Sequence, residues 1–111
     1  MKNVLIINPQ VYDDLKAIKD FISRDDPVQA EKVVGAILDA IENIADMPES
    51  GANLQNKLKQ KTKYKYILTY RNYATLYYIG KDAIYITLVL NTARDLSALK
   101  LLAPKADKEK N

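Results

Sequence analysis

The stretch Thr62-Lys63-Tyr64-Lys65-Tyr66-Ile67-Leu68-Thr69-Tyr70, continued by Tyr73-Ala74-Thr75-Leu76-Tyr77-Tyr78-Ile79 and by Ala83-Ile84-Tyr85-Ile86-Thr87-Leu88-Val89-Leu90, decides the fold. Tyr64, Tyr66, Leu68 and Tyr70 alternate with Lys63, Lys65, Ile67 and Thr69. That two-residue period is the signature of an extended chain whose side chains point to opposite faces. Arg71 sits at the first break and Gly80-Lys81-Asp82 forms the second, so the stretch reads as a meander of three antiparallel strands.

Upstream the period is 3.6. Val11, Leu15, Ile18 and Ile22 repeat along one face, with Asp13, Asp14, Lys16, Lys19 and Asp20 on the other, which predicts an amphipathic helix. Asn8-Pro9 supplies its cap and first residue. Asp26-Pro27-Val28-Gln29 repeats the signal as a capping box, and Ala30, Val33, Val34, Ile37, Ile41 and Ile44 form the stripe of a second helix. Met47-Pro48-Glu49-Ser50-Gly51 ends it. Two helices joined by a short turn form an antiparallel hairpin suited to covering a sheet.

Val4 to Ile7 is a short apolar run that reads as a buried strand. Two helices separate it from the meander, so two placements are open to it: an edge of the sheet, or a position beside a non-adjacent strand. Asp95 is placed to cap a last short helix through Leu96, Leu99 and Leu102, stopped by Pro104. The fold class is therefore α+β, in the order β-α-α-β-β-β(-α), with the hairpin packed on one face of a mostly antiparallel sheet. The opposite face is expected to be open for function. Residues 1–104 form one domain, and residues 105–111 a charged tail expected to be disordered.

Composition narrows the chemistry. With no cysteine and no histidine, disulfides, thiolate or imidazole metal sites and histidine-based proton transfer are excluded. No metal or cofactor is expected. The leading apolar run is too short for a signal peptide or a membrane span, so a soluble protein of the cytoplasm, with no membrane partner, is the expectation. The net charge of +3 conceals a division. Residues 1–50 carry 5 basic against 10 acidic side chains, and residues 51–111 carry 12 against 4, which makes the second half the candidate surface for an anionic partner.

Lys57, Lys59, Lys61, Lys63 and Lys65 recur at every second position, and in an extended chain that spacing puts them on one side. Such a comb suits phosphate contacts of little sequence specificity, or equally a solvated edge guarded against aggregation. Seven of the eight tyrosines fall in the sheet region, where cross-strand packing and stacking on unpaired bases are the competing uses. Arg71 and Arg94 flank strand ends, where a guanidinium can capture a phosphate or carboxylate; a structural ion pair, such as Arg94 with Asp95, is the alternative. The acidic pairs Asp13-Asp14 and Asp25-Asp26 read as helix-surface charge and capping.

Tyr12-Asp13-Asp14-Leu15-Lys16-Ala17-Ile18-Lys19-Asp20-Phe21-Ile22, Pro27-Val28-Gln29-Ala30, Pro48-Glu49-Ser50-Gly51, Tyr73-Ala74-Thr75-Leu76-Tyr77-Tyr78-Ile79 and Val89-Leu90-Asn91-Thr92-Ala93-Arg94-Asp95 follow one another in an order that resembles the RelE/ParE toxin superfamily. The resemblance covers nearly the whole chain and rests on the ordered set, no one motif being specific. It implies a bacterial toxin neutralised by a cognate antitoxin. It also implies one of two targets: RelE-like members cut mRNA in the ribosomal A site, and ParE-like members inhibit DNA gyrase.

RelE-like relatives often carry arginine where this chain has Ala74 and histidine where it has Asn91, so the acid–base groups of that chemistry are displaced. Lys63, Lys65, Arg71, Tyr77 and Arg94 remain as candidates for a metal-independent endoribonuclease site. Lys57, Lys59, Lys61, Lys63, Lys65, Arg71, Asn91 and Arg94 are the candidate binding residues. The ending Val89-Leu90-Asn91-Thr92-Ala93-Arg94-Asp95 resembles the ParE branch more closely, although that branch, too, commonly has a histidine in place of Asn91, and this favours a gyrase inhibitor. A degenerate fold kept only to bind an antitoxin is the third reading.

Overall fold

The structure, a computed structural model, describes residues 3–58 and 61–95. The chain opens with β1 (Leu5–Ile7). Asn8 then caps α1 (Pro9–Ser23), its side chain accepting the Gln10 N–H at 2.9 Å, while Pro9 stands where a helix has no use for an N–H. Asp26 does the same for α2 (Pro27–Asp46), accepting from the Gln29 N–H at 3.0 Å.

After a 3-10 turn at Pro48–Ser50 come two elements that the periodicity did not foresee: β2 (Ala52–Asn53) and a short helix α3 (Leu54–Leu58). The meander follows as β3 (Lys65–Thr69), β4 (Tyr73–Ile79) and β5 (Ile84–Asn91). The last helix expected from Asp95, through Leu96, Leu99 and Leu102, and the tail 105–111 lie outside the described residues.

The sheet order is β1-β5-β4-β3-β2. β1 runs parallel to β5, with Leu5 opposite Ile84 and Ile7 opposite Ile86, and every other pair is antiparallel. Both placements open to the first strand are realised at once: it lies at an edge of the sheet and beside β5, a strand not adjacent to it in sequence. The helical hairpin carries the chain over one face, which is the crossover that a parallel pair requires, and β5 has its other side free to receive it. A bulge bends β5: Leu76 pairs with Leu88 and Tyr77 with Ile86, leaving Thr87 over, its hydroxyl donating to the Leu76 carbonyl at 3.0 Å.

One face of the sheet carries the main core. Val11, Leu15 and Ile18 of α1 and Val33, Ile37, Ile41 and Ile44 of α2 pack on Tyr73, Tyr77, Ile84, Ile86 and Val89. The period-2 reading of the meander produces this directly, since odd positions of β4 face the helices and even ones face away. The opposite face is not bare, which corrects the expectation above. Leu54 of α3 and Tyr64 bury Ala74 and Leu76, with Tyr66, Tyr78, Leu88 and Leu90 packed around them. Ala74 and Leu76 of β4 and, beyond the bulge, Leu88 and Leu90 of β5 are themselves apolar, so leaving them wet would forfeit burial that α3 recovers.

Two polar contacts hold these layers in register. The Tyr77 phenol, fully buried, donates to the Pro48 carbonyl at 2.7 Å and accepts from the Gly51 N–H at 3.0 Å, pinning the segment after α2 to β4. Gly51 is needed there, because a Cβ would overlap the phenol oxygen. Asp14, read from sequence as surface charge, reaches across to β5: one carboxylate oxygen accepts the Val89 N–H at 2.9 Å, and the other accepts from the Gln10 amide at 2.8 Å. Asp14 thus takes the place of a strand partner beyond the end of β1.

Candidate functional site

The chain has three arginines against fourteen lysines, and all three arginines come to one end of the sheet. Arg71 lies in the β3–β4 turn, and Arg94 follows β5. Their loops are tied together: Thr92 donates its N–H to the Asn72 carbonyl at 2.7 Å, and its hydroxyl lies 3.3 Å from the carbonyl oxygens of both Arg71 and Asn72. Phe21, at the last turn of α1, brings in the third. The Arg24 guanidinium lies 5.9 Å from the Phe21 ring centroid and that of Arg94 lies 5.5 Å from it, so one exposed ring carries two cations.

The backbone that presents Arg71 is strained. Tyr70 and Arg71 have φ of 53° and 64°, a left-handed conformation that costs a residue with a Cβ about 1–2 kcal/mol. It is the conformation of a tight hairpin turn, normally given to glycine or asparagine. Here it places an exposed tyrosine and an exposed arginine at the tip. Arg94 Nε lies 3.4 Å from an Asp95 carboxylate oxygen, the ion pair considered from sequence, but the pair is well exposed and holds the guanidinium only weakly.

Asn91 ends β5 by capping its own turn. Its side-chain oxygen accepts from the Ala93 N–H at 3.0 Å and the Arg94 N–H at 3.2 Å, while its backbone N–H donates to the Asp95 carboxylate at 3.2 Å. It therefore shapes the loop that holds Arg94. Ala74 is buried against the outer-face cluster.

The lysine comb does not form. Lys57 falls on α3, Lys59 lies outside the described residues, as does the side chain of Lys57, and Lys61 and Lys63 precede the strand, so no common extended backbone aligns the series. Lys61 is exposed. Lys63 lies with its ammonium 4.1 Å from the Tyr78 ring centroid on the outer face. Lys65, mostly buried, pairs with Glu49 at 3.3 Å and donates to the Asn53 side chain at 3.1 Å and the Gly51 carbonyl at 3.4 Å.

Tyr77 belongs to the core, away from any surface. Its phenol pKa is raised above the ordinary value near 10, chiefly by burial, with Glu49 adding to the rise and the hydrogen bond from Gly51 opposing it. Of the sequence candidates, then, Arg71, Arg94 and Asn91 come together; Lys63, Lys65 and Tyr77 do not join them. Arg24 and Phe21 were missed. Their only signal in the sequence was an arginine and a large aromatic at the polar end of an amphipathic helix, which pointed nowhere until the helix was packed.

Among the described residues, no group of three or more acids could hold a metal ion, and no helix is long and apolar enough to cross a membrane. The site offers fixed guanidinium charge, suited to binding anionic groups. No curated protein matches the sequence. Among solved structures, a chain of a chromosomal ParDE toxin–antitoxin system from P. aeruginosa superposes with a TM-score of 0.66 at 17% identity, covering 81% of this chain and 96% of that one, a likeness of fold alone. The family model described as the ParE toxin of type II toxin–antitoxin systems, parDE, matches residues 5–96. That match runs from β1 through the loop holding Arg94, and the chain belongs to the ParE toxin family.

Proposed function

We propose that this protein is a toxin restrained by a cognate antitoxin, and that it poisons DNA gyrase by binding rather than by cutting nucleic acid. The observation that carries the reading is the fate of the two positions where RelE-like nucleases keep their reactive groups. Ala74 is an alkyl side chain under the outer-face cluster, and Asn91 holds a turn closed with its amide oxygen. An amide does not titrate, so it neither removes a proton from a ribose hydroxyl nor returns one to a leaving oxygen. The arginine end supplies charge without that proton chemistry. Arg71, Arg94 and Arg24 are the residues that would meet acidic groups of the target.

The test compares purified protein in a gyrase supercoiling assay and in a translating-ribosome cleavage assay. Gyrase inhibition with intact mRNA is the expected result, weakened at least tenfold by Arg71→Ala or Arg94→Ala. Codon-biased mRNA cuts would replace this reading with ribosome-dependent cleavage. Folded protein inactive in both assays, and harmless when expressed without an antitoxin, would leave only an antitoxin-binding module.

A further inference from the structure

At the end of the sheet away from the arginines, the outer face carries a second feature that the gyrase reading does not use. Tyr78 of β4 and Tyr85 of β5 stack with ring centroids 4.9 Å apart and planes 15° from parallel. Tyr64 meets Tyr78 edge-on at 5.6 Å, and the Lys63 ammonium lies 4.1 Å from the Tyr78 centroid. Beside the pair opens a cleft of about 250 Å³, walled by Tyr78, Tyr85, Ile6, Asn8, Pro9 and Thr87.

The fold makes room for this arrangement. A Cβ on Gly80 would come within 2.6 Å of the Tyr85 ring, so the glycine lets the ring lie against the β4–β5 turn. Lys81 in that turn is exposed, as is Lys61. The tyrosines are only half-buried, and Ile6 on the far wall is 46% exposed, so an apolar slot is left open with the Lys63 ammonium beside one of its walls.

Slot size, stacked phenols and the Lys63 ammonium beside them together fit one ligand chemistry. A nucleobase is flat, apolar on its faces and polar on its edges, and its backbone brings phosphates to either side. An apolar peptide would fill the slot but give the lysines nothing to neutralise. We propose that the cleft beside Tyr78 and Tyr85 takes an unpaired base of a single-stranded nucleic acid, with Lys63 and Lys81 meeting the flanking phosphates. The site is independent of the gyrase reading and lies at the other end of the molecule.

Fluorescence anisotropy tests it with the purified full chain and two labelled oligomers of about twelve nucleotides, one of thymidylate and one abasic with the same phosphates. Thymidylate should bind about tenfold more tightly than the abasic strand, a comparison that needs no variant. Tyr85→Leu, which keeps an apolar side chain but no ring, should abolish that preference, and Tyr85→Phe should retain it. Lys63→Gln should weaken both oligomers and lower the salt dependence by about one phosphate contact. Equal affinity for the two strands overturns the proposal. So does a Tyr85→Leu protein of unchanged melting temperature that binds thymidylate as before, or a cleft that takes an aromatic antitoxin peptide and no oligomer. Gyrase inhibition measured on the same samples separates the two readings: loss of base binding with inhibition intact removes this site alone.

Discussion

Removing a single oxygen, in Tyr77→Phe, tests how the sheet is locked to the helical layer. The wild-type phenol makes two buried hydrogen bonds, to the Pro48 carbonyl at 2.7 Å and from the Gly51 N–H at 3.0 Å. Phenylalanine leaves both backbone groups without a partner. At about 1 kcal/mol for each bond, and more where water does not replace the phenol, the loss is about 2–3 kcal/mol. For a domain of this size that lowers the melting temperature by roughly 10–20 °C.

The same residue has a pH signature. Burial raises the phenol pKa in the folded chain, whereas the unfolded chain releases that proton near pH 10. The folded state therefore binds more protons above that point. The contribution of Tyr77 is fully present below about pH 10 and is lost as pH rises through the folded pKa, with a limiting slope of about 1.4 kcal/mol per pH unit. Urea unfolding of both proteins at intervals from pH 7 to about pH 11 reads this out. Every other ionisable group is common to the two proteins and cancels in the difference. The two stability curves should be separated at pH 7 and converge above pH 10. Parallel curves, or a gap at pH 7 below about 0.5 kcal/mol, would refute the reasoning.

Four further substitutions probe other joints. Asp14→Ala removes the carboxylate that accepts the Val89 N–H and should cost about 1.5–3 kcal/mol in urea unfolding, with faster amide exchange at Val89. Gly51→Ala forces a methyl group into the Tyr77 phenol and should destabilise by about 1–3 kcal/mol; combined with Tyr77→Phe it should cost less than the sum, a non-additivity that a double-mutant cycle measures. Thr75→Val should stabilise by about 1 kcal/mol, because the Thr75 hydroxyl is buried without a hydrogen-bond partner among the described residues. Arg71→Gly relieves a left-handed residue and should raise the melting temperature while weakening gyrase inhibition, opposite signs that separate the turn's strain from the side chain's role.

The period change from 3.6 to 2 near Thr62, the two proline-led caps and the charge division determined much of this protein by themselves. They are local properties: a cap needs only its own helix, and alternation needs only its own strand. Helix starts, the meander and the helix-stripe residues Val11, Leu15, Ile37 and Ile41 all follow from them. What the sequence did not decide depends on distance across the fold. Five lysines in step formed no comb, because α3 interrupts the extended run and Lys65 turns to Glu49. Asp14 is indistinguishable from surface charge until β1 proves too short to cover Val89. Arg24, Arg71 and Arg94 are far apart in sequence and carry no common motif. Only packing α1 against the sheet brings Phe21 between two of them, because the direction in which a helix crosses a sheet is set by the whole interface and not by the residues at its end.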